Sequence, residues 1–341
     1  MKFVQRVFKD FWLLKSQKIY FSFFFIALSL ILNSCERPTD TNQQNDGTPP
    51  AIPTGVSIVY SFDGEILIEW NQNSDLDLKG YNVYRKSSTT NFECLGFTSN
   101  NYYFDDSLSY DTTYHYKISA VDIWGEESEK SLEVSAAPIN KYKPDRLRYI
   151  NINARNWVGV ISIFLSWSPG YESDIAGYNI YRGLSSNFTA DSTSFIGFTS
   201  DVNFSDTSDL VFYTEYFYKI RTVDKGGLIS EESVTVSDEV YEIAELVFPP
   251  NNGFVNYFNY FKIKSLKTQA RYQIVVQTNE YSGELWSYSF NAAAADSMIE
   301  IKFTPPYLYP YVYYYWRVFT FSGNNSEPNS ISPFFRFRIK V

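Results

Sequence analysis

The chain has few of the side chains that enzymes most often use for catalysis or metal binding. Its 341 residues include one histidine, His115, and two cysteines, Cys35 and Cys94. A single histidine makes neither a zinc site nor a pair of nucleophile and base. Two cysteines cannot form the disulfide framework of a small secreted domain. We therefore expect no catalytic residues, no metal and no cofactor.

Positive charge is also scarce. The sequence has 29 lysines and arginines against 38 acidic residues, a net charge of −9. Residues 1–34 hold five basic residues and one acidic residue, so their removal lowers the net charge to −13. This acidity argues against a nucleic acid partner and against adsorption to anionic lipid.

The N-terminus pairs a basic leader with a short hydrophobic run. Ile19–Leu32 is uncharged and fourteen residues long, whereas a membrane-spanning helix needs about 20. That length is typical of the hydrophobic region of a signal peptide. A signal anchor that is not cleaved is the alternative. Residues 36–50 then carry polar residues, proline and glycine with almost no bulky apolar side chain, which predicts a disordered tether.

The end of the hydrophobic run, Leu32-Asn33-Ser34-Cys35, resembles the lipobox of bacterial lipoproteins. The resemblance implies that a signal peptide, residues 1–34, is removed and that Cys35 is acylated. It also implies a lipid-anchored protein of the bacterial cell envelope. Glu36 instead of aspartate after the cysteine is compatible with the outer membrane. A chance cysteine in an ordinary signal peptide is the alternative.

The rest of the chain contains an internal repeat. The segment from Trp70 to Arg85 recurs 97 residues later as Trp167 to Arg182, with Asp-(apolar)-x-Gly-Tyr-Asn-(Val/Ile)-Tyr-Arg in both copies. Tyr-x-Tyr-Lys-Ile-x-x-Val-Asp, which begins at Tyr114, returns in the same order. Such self-similarity predicts tandem copies of one small domain.

Each copy alternates polar and apolar residues in short segments. Ile66, Ile68 and Trp70 fall on one face of a predicted strand, and Asp, Asn, Gly and Ser clusters separate such segments. No segment shows a convincing helical period. Six or seven short strands in a span of about 95 residues predict an antiparallel β-sandwich.

Together these motifs resemble the fibronectin type III domain. The resemblance implies an all-β fold of tandem fibronectin type III-like, immunoglobulin-like β-sandwiches. It places Trp70 and Trp167 in the core and gives Tyr114 and Tyr216 a corner hydrogen bond to nearby backbone. The predicted domains are residues 51–139, 143–240 and 243–341, after an acylated tether at 35–50.

The third domain is the diverged one. It lacks the Trp and Gly-Tyr motifs, but Tyr313–Val318, Gly323 and Ser326 can be aligned with Tyr114–Ile118, Gly125 and Ser128. Cys94 aligns with Phe195 in the second copy, and this predicts an apolar, buried position for the cysteine.

Aromatic residues are abundant, with 29 Tyr, 29 Phe and seven Trp. The run Tyr307–Trp316 cannot point entirely inward because strand side chains alternate between two faces. Either Tyr313 and Tyr315, or Tyr314 and Trp316, must face outward unless a neighbouring domain covers them. We expect a non-catalytic envelope lipoprotein that acts as a protein-interaction scaffold or as an adhesion module. A polysaccharide-binding protein that uses Tyr313, Tyr314, Tyr315 and Trp316 is the alternative, and a simple spacer is a third possibility.

Overall fold

The computed structural model describes residues 47–340 except 89, 294–295, 305–306 and 324. The predicted signal peptide and the predicted lipidation site Cys35 lie outside the described residues. All regular elements of the described part are β-strands, 23 in number. That part contains no helix long and apolar enough to cross a membrane.

The strands follow one another in three sets. The first set is β1 Ser57–Phe62, β2 Glu65–Glu69, β3 Leu78–Ser87, β4 Glu93–Thr98, β5 Tyr102–Asp105, β6 Tyr114–Asp122 and β7 Val134–Ala136. The second is β8 Ile150–Trp157, β9 Val160–Trp167, β10 Ile175–Gly183, β11 Phe195–Thr199, β12 Asn203–Asp206, β13 Glu215–Asp224 and β14 Val236–Glu239. The third is β15 Glu245–Phe248, β16 Gly253–Val255, β17 Tyr260–Lys264, β18 Ala270–Gln277, β19 Glu284–Ala292, β20 Met298–Lys302, β21 Tyr314–Phe321, β22 Ser330–Ile331 and β23 Phe335–Ile339.

All three sets form a sandwich with the same strand order. In the first, β1-β2-β5 faces β4-β3-β6-β7, and in the second β8-β9-β12 faces β11-β10-β13-β14. In the third, β15-β17-β20 faces β19-β18-β21, and β22 and β23 both pair with β21. The prediction of tandem fibronectin type III-like sandwiches is confirmed. The strands lie within the predicted domain ranges, whose exact limits stay predictions.

The cores of the first two sandwiches follow the predicted alternation. Ile66, Ile68 and Trp70 are buried, and the Trp70 ring meets the edge of the Tyr81 ring at 5.1 Å between centroids. In the second sandwich Trp167 meets Tyr178 at the same distance. The repeated sequence therefore encodes a repeated aromatic contact at the centre of each core.

A tyrosine corner occurs in every sandwich. The hydroxyl of Tyr114 accepts a hydrogen bond from the backbone N–H of Ser109 at 3.1 Å. The backbone N–H groups of Val211 and Tyr309 donate in the same way to Tyr216 and Tyr314, at 3.0 and 2.8 Å. Each donor lies five residues before its tyrosine, so Tyr314 is the structural counterpart of Tyr114.

One alignment in the third domain is wrong. In the first sandwich the Ser128 N–H donates to the Ala120 carbonyl at 2.9 Å. The equivalent bond in the third runs from the Asn329 N–H to the Thr320 carbonyl at 2.7 Å. Asn329, rather than Ser326, therefore takes the place of Ser128, because the loop after β21 is longer.

The first and second sandwiches each contain a partly buried Arg–Asp–Tyr triad that sequence reasoning missed. The Arg85 guanidinium is 2.8 Å from the Asp105 carboxylate, which also accepts a hydrogen bond from the Tyr116 hydroxyl at 2.6 Å. Hydrogen bonds to a charged group contribute about 1.5–3 kcal/mol each. The second sandwich repeats the triad with Arg182, Asp206 and Tyr218.

The second and third sandwiches share one sheet. Strand β22 pairs in parallel with β8, with Ser330 opposite Asn156 and Ile331 opposite Trp157. The Trp157 indole N–H adds a hydrogen bond of 2.9 Å to the Pro328 carbonyl. The result is a nine-stranded sheet that runs through both sandwiches.

A buried aspartate reinforces this junction. Asp238, at the end of the second sandwich, is 6% exposed. Its carboxylate accepts hydrogen bonds from the Ala154 N–H at 2.8 Å and from the Ser322 hydroxyl at 2.7 Å. The side-chain amides of Asn325 and Asn329 donate to it at 3.0 Å each. One carboxylate thus joins the last strand of the second sandwich to a loop of the third.

The first and second sandwiches are joined by polar contacts. The Asp63 carboxylate accepts hydrogen bonds from the backbone N–H groups of Lys141 and Tyr142 at 2.7 and 2.9 Å. The Ser173 hydroxyl donates to Glu65 at 3.2 Å. The two Asp63 bonds fix the linker against the first sandwich, and the Ser173 bond joins the second sandwich to the first.

The prediction that Cys94 is buried is wrong. Cys94 pairs with Tyr84 just as Phe195 pairs with Tyr181, so the alignment of the two positions holds. Both residues are nevertheless exposed, because they lie on the outward side of edge strands. An aromatic counterpart is therefore poor evidence of burial at an edge.

Candidate functional site: an arginine–aromatic face

The predicted tyrosine row divides between two sides of β21. Tyr314 and Trp316 are buried, with exposures of 3% and 0%, whereas Tyr313 and Tyr315 are half-buried on the opposite side. Tyr314 makes the corner, and the Trp316 indole N–H donates to the Pro249 carbonyl at 3.2 Å in the core. The proposal that Tyr314 and Trp316 bind a ligand is therefore wrong. Tyr313 and Tyr315 stay candidates.

Strand β23 places two arginines beside these tyrosines. Tyr315 lies opposite Arg336, and the register of the pair brings Tyr313 beside Arg338. The guanidinium carbons of Arg336 and Arg338 lie 4.8 and 4.6 Å from the centroid of the Tyr313 ring. Arg338 also lies 5.3 Å from the ring of Phe254, which is on β16. Tyr313 thus interacts with two cations.

A third arginine continues the pattern on β21. The guanidinium carbon of Arg317 lies 4.3 Å from the Phe334 ring and 4.6 Å from the Phe319 ring. Tyr315 contacts Phe334 edge-on at 6.3 Å. We call this surface the arginine–aromatic face. It consists of Phe254, Tyr313, Tyr315, Arg317, Phe319, Phe334, Arg336 and Arg338.

The charge of this face is not neutralised. Among the described residues, no carboxylate lies within 4.0 Å of Arg317, Arg336 or Arg338. Burial lowers the pKa of Arg317, and no neighbouring acid offsets this effect. Arg336 uses its Nε–H to donate to the Asn252 side chain at 2.6 Å. The face is therefore a cationic surface on an acidic protein.

Exposed tyrosines border the face. Tyr307, Tyr309 and Tyr311, in the loop before β21, are 61–68% exposed. The rings of Tyr307 and Tyr309 meet edge-to-face at 5.1 Å. Tyr311 lies 5.8 Å from Phe254, which links this loop to the face. The sequence run pointed to this region, but the most exposed rings precede the strand.

The other predicted residues lie elsewhere. Trp70, Trp167 and Tyr216 are buried and Tyr114 is half-buried against the core of its sandwich. The imidazole of His115 pairs with Glu133 at 2.8 Å on the surface of the first sandwich. No group of three or more His, Cys, Asp or Glu side chains in the described chain is placed to hold a metal ion.

The fold and the site define a class of protein: tandem fibronectin type III-like sandwiches that display a cationic, aromatic surface. No family model matches the chain. The chain is 27% identical over 201 residues to Exoglucanase B of Cellulomonas fimi, a match that covers 56% of this chain and 17% of that enzyme. The crystal structure of the chicken CNTN1 FN1-FN3 domains aligns with a TM-score of 0.35 and 13% identity, covering 86% of this chain and 100% of that one.

Proposed function

We propose that the protein is a non-catalytic interaction scaffold whose third sandwich binds an acidic surface of a protein partner. The observation behind this proposal is the set of three guanidinium groups that stack on aromatic rings and have no carboxylate within 4.0 Å in the described chain. An acidic partner would supply the missing counter-charges.

Stacking prepares these arginines for binding. A guanidinium held flat against a ring loses little conformational freedom when its N–H edge meets a carboxylate. That edge can hold both carboxylate oxygens at once. Arginine and tyrosine are also the residues that dominate binding energy in protein interfaces. The rings of Tyr313 and Phe334 already contact guanidinium groups. The groups left available to a partner are therefore the charged N–H edges of the arginines.

The test measures binding of fluorescent poly-L-glutamate to residues 36–341. We expect saturable binding that weakens with salt and falls about tenfold or more in the double variant Arg317→Gln, Arg336→Gln, since each lost charged hydrogen bond costs about 1.5–3 kcal/mol. The matched control is Arg146→Gln, Arg148→Gln, which removes the same charge from exposed positions of the second sandwich. Equal losses in both double variants would show that only net charge matters and would contradict the proposal.

Polysaccharide binding is the second candidate. Two observations favour it: the relative is named as an exoglucanase, and the Tyr307 and Tyr309 rings are largely exposed. Exposed aromatic rings can stack on sugar rings. Retention on insoluble glucan should then be lost in Tyr307→Ala, Tyr309→Ala and kept in Tyr149→Ala, which removes a tyrosine that is 85% exposed in the second sandwich. No retention of the unaltered protein would remove this candidate.

We further propose that Cys35 carries a lipid that anchors the protein in the bacterial cell envelope, at the outer membrane. The sequence Leu32–Cys35 supports this proposal, and two or three acyl chains would suffice for stable anchoring. The mature protein should have the mass of an acylated chain that begins at Cys35. Cys35→Ala should leave the membrane fraction. A Cys35→Ala variant that stays in the membrane would argue for an uncleaved anchor instead.

A further inference from the structure

A polar groove lies where the second and third sandwiches meet. One wall is the outer side of β8 and β9, with Asn151, Asn153, Arg155, Phe164 and Ser166, and the other is the segment 325–327. The groove has a volume of about 500 Å³, which is within the range of small-molecule sites. Because β8 and β22 belong to one sheet, the two walls are held in fixed register.

Arg155 is the charged donor of this groove. Its guanidinium carbon lies 4.2 Å from the Phe164 ring and 4.6 Å from the Trp157 ring. Its Nε–H donates to the Asn153 side-chain oxygen at 2.9 Å, and neither of its Nη atoms donates to another residue that the structure describes. Two rings and one amide thus fix the guanidinium plane while its Nη atoms are left for a ligand.

Electrostatics point to an anionic group on that ligand. Burial lowers the pKa of Arg155, and the nearest acid that acts on it is Glu327. No carboxylate of the described chain approaches Arg155 within 4.0 Å. A ligand carboxylate could accept two parallel hydrogen bonds from the guanidinium and restore the missing charge balance.

Apart from Ile150 and Ile152, the remaining lining is suited to hydroxyl groups. Asn151, Ser166 and Ser326 offer both donors and acceptors, and the Asn325 side-chain oxygen and the Glu327 carboxylate accept. The Asn153 amide already donates to the Glu327 carbonyl at 3.4 Å, which orders this side of the groove. Several neutral hydrogen-bonding groups around one cation match a polyhydroxylated acid better than an apolar anion.

We propose that this junction groove binds a sugar acid, such as a hexuronate residue of an acidic glycan, with its carboxylate on Arg155 and its hydroxyls on the asparagine and serine side chains. The site is separate from the arginine–aromatic face. A ligand bound in the groove would contact the second and third sandwiches at once.

The experiment titrates residues 36–341 with sodium glucuronate, glucose and sodium acetate and follows binding by calorimetry. We expect saturable glucuronate binding, with glucose and acetate at least tenfold weaker, because each lacks half of the interactions. Arg155→Gln should weaken glucuronate binding at least tenfold. Arg148→Gln, at an exposed position of the same sandwich, should leave this binding unchanged.

A second variant guards against misfolding. Ser166→Phe places a bulky ring in the groove and leaves the charge unchanged, so it should also weaken glucuronate binding at least tenfold. Because phenylalanine is well tolerated in a strand, the thermal unfolding temperature should stay near that of the unaltered protein. The proposal is overturned if glucuronate binding does not saturate, if acetate binds as tightly as glucuronate, or if the Ser166→Phe variant binds glucuronate as well as the unaltered protein does. Loss of binding in Arg317→Gln, Arg336→Gln would instead place the ligand on the arginine–aromatic face.

Discussion

Replacing Asp238 by alanine should uncouple the third sandwich from the second. The carboxylate of Asp238 accepts four hydrogen bonds of 2.7–3.0 Å from Ala154, Ser322, Asn325 and Asn329. Three of these donors belong to the third sandwich. Alanine would remove one hydrogen bond from each of the four donor groups, at a junction where Asp238 itself is buried.

The magnitude follows from how many of these donors water can reach. A buried donor that loses its partner costs about 1–3 kcal/mol. The Ala154 N–H and the Asn329 amide are buried, whereas Ser322 and Asn325 are only half-buried and can turn to solvent. The full cost for the two buried donors and a small cost for the two half-buried ones together lower the free energy of unfolding by about 3–5 kcal/mol.

Urea unfolding followed by tryptophan fluorescence measures this loss, and amide hydrogen exchange locates it. The N–H groups of Asn156 and Val158 donate to the Asn329 and Ile331 carbonyls across the junction, so they should exchange faster in Asp238→Ala. The control is Asp201→Ala, an exposed aspartate of the same sandwich, which should change stability by less than about 0.5 kcal/mol. A loss below about 1 kcal/mol with unchanged exchange would refute the reasoning.

Two further predictions concern single groups. Tyr218→Phe removes the hydroxyl that donates to buried Asp206 at 2.7 Å and should lower the free energy of unfolding by about 1.5–3 kcal/mol in urea, whereas Tyr149→Phe, at an exposed position, should change nothing. Glu65 lies at the contact between the first and second sandwiches, and burial raises its pKa. The protonated carboxyl therefore contributes stability that is fully present below the ordinary pKa of glutamate and is lost as the pH rises through the raised pKa. Stability measured from pH 4 to pH 7 should therefore fall less in Glu65→Gln than in the unaltered protein, and a steeper fall would contradict this assignment.

The sequence predicts those features that depend on local pattern. Strand alternation places Trp70 in the core, and the repeated motif with its corner tyrosine predicts the fold. The same alternation allows two arrangements of Tyr313–Trp316, because the pattern alone does not show which of the two alternating sets of side chains faces the core. The Tyr314 corner bond decides between the two arrangements, and its donor Tyr309 could have been found by the spacing of five residues.

Features that depend on distant pairing could not be predicted. The arginine–aromatic face needs the register between β21 and β23 that brings Arg336 opposite Tyr315. The junction needs β8 to meet the two-residue strand β22, about 170 residues away along the chain. A two-residue strand has no hydrophobic period to recognise, so the groove beside Arg155 leaves no trace in the sequence pattern.

The shared sheet has a consequence for how this chain can change in evolution. A domain tied to its neighbour only by a linker can be duplicated, deleted or moved without cost to that neighbour. Here the loss of residues beyond Glu239 would uncover the edge of β8 and remove three of the four donors to Asp238. The second and third sandwiches should therefore be inherited as one unit, while the first, which contacts the second through polar side chains and a linker, is the one free to be exchanged.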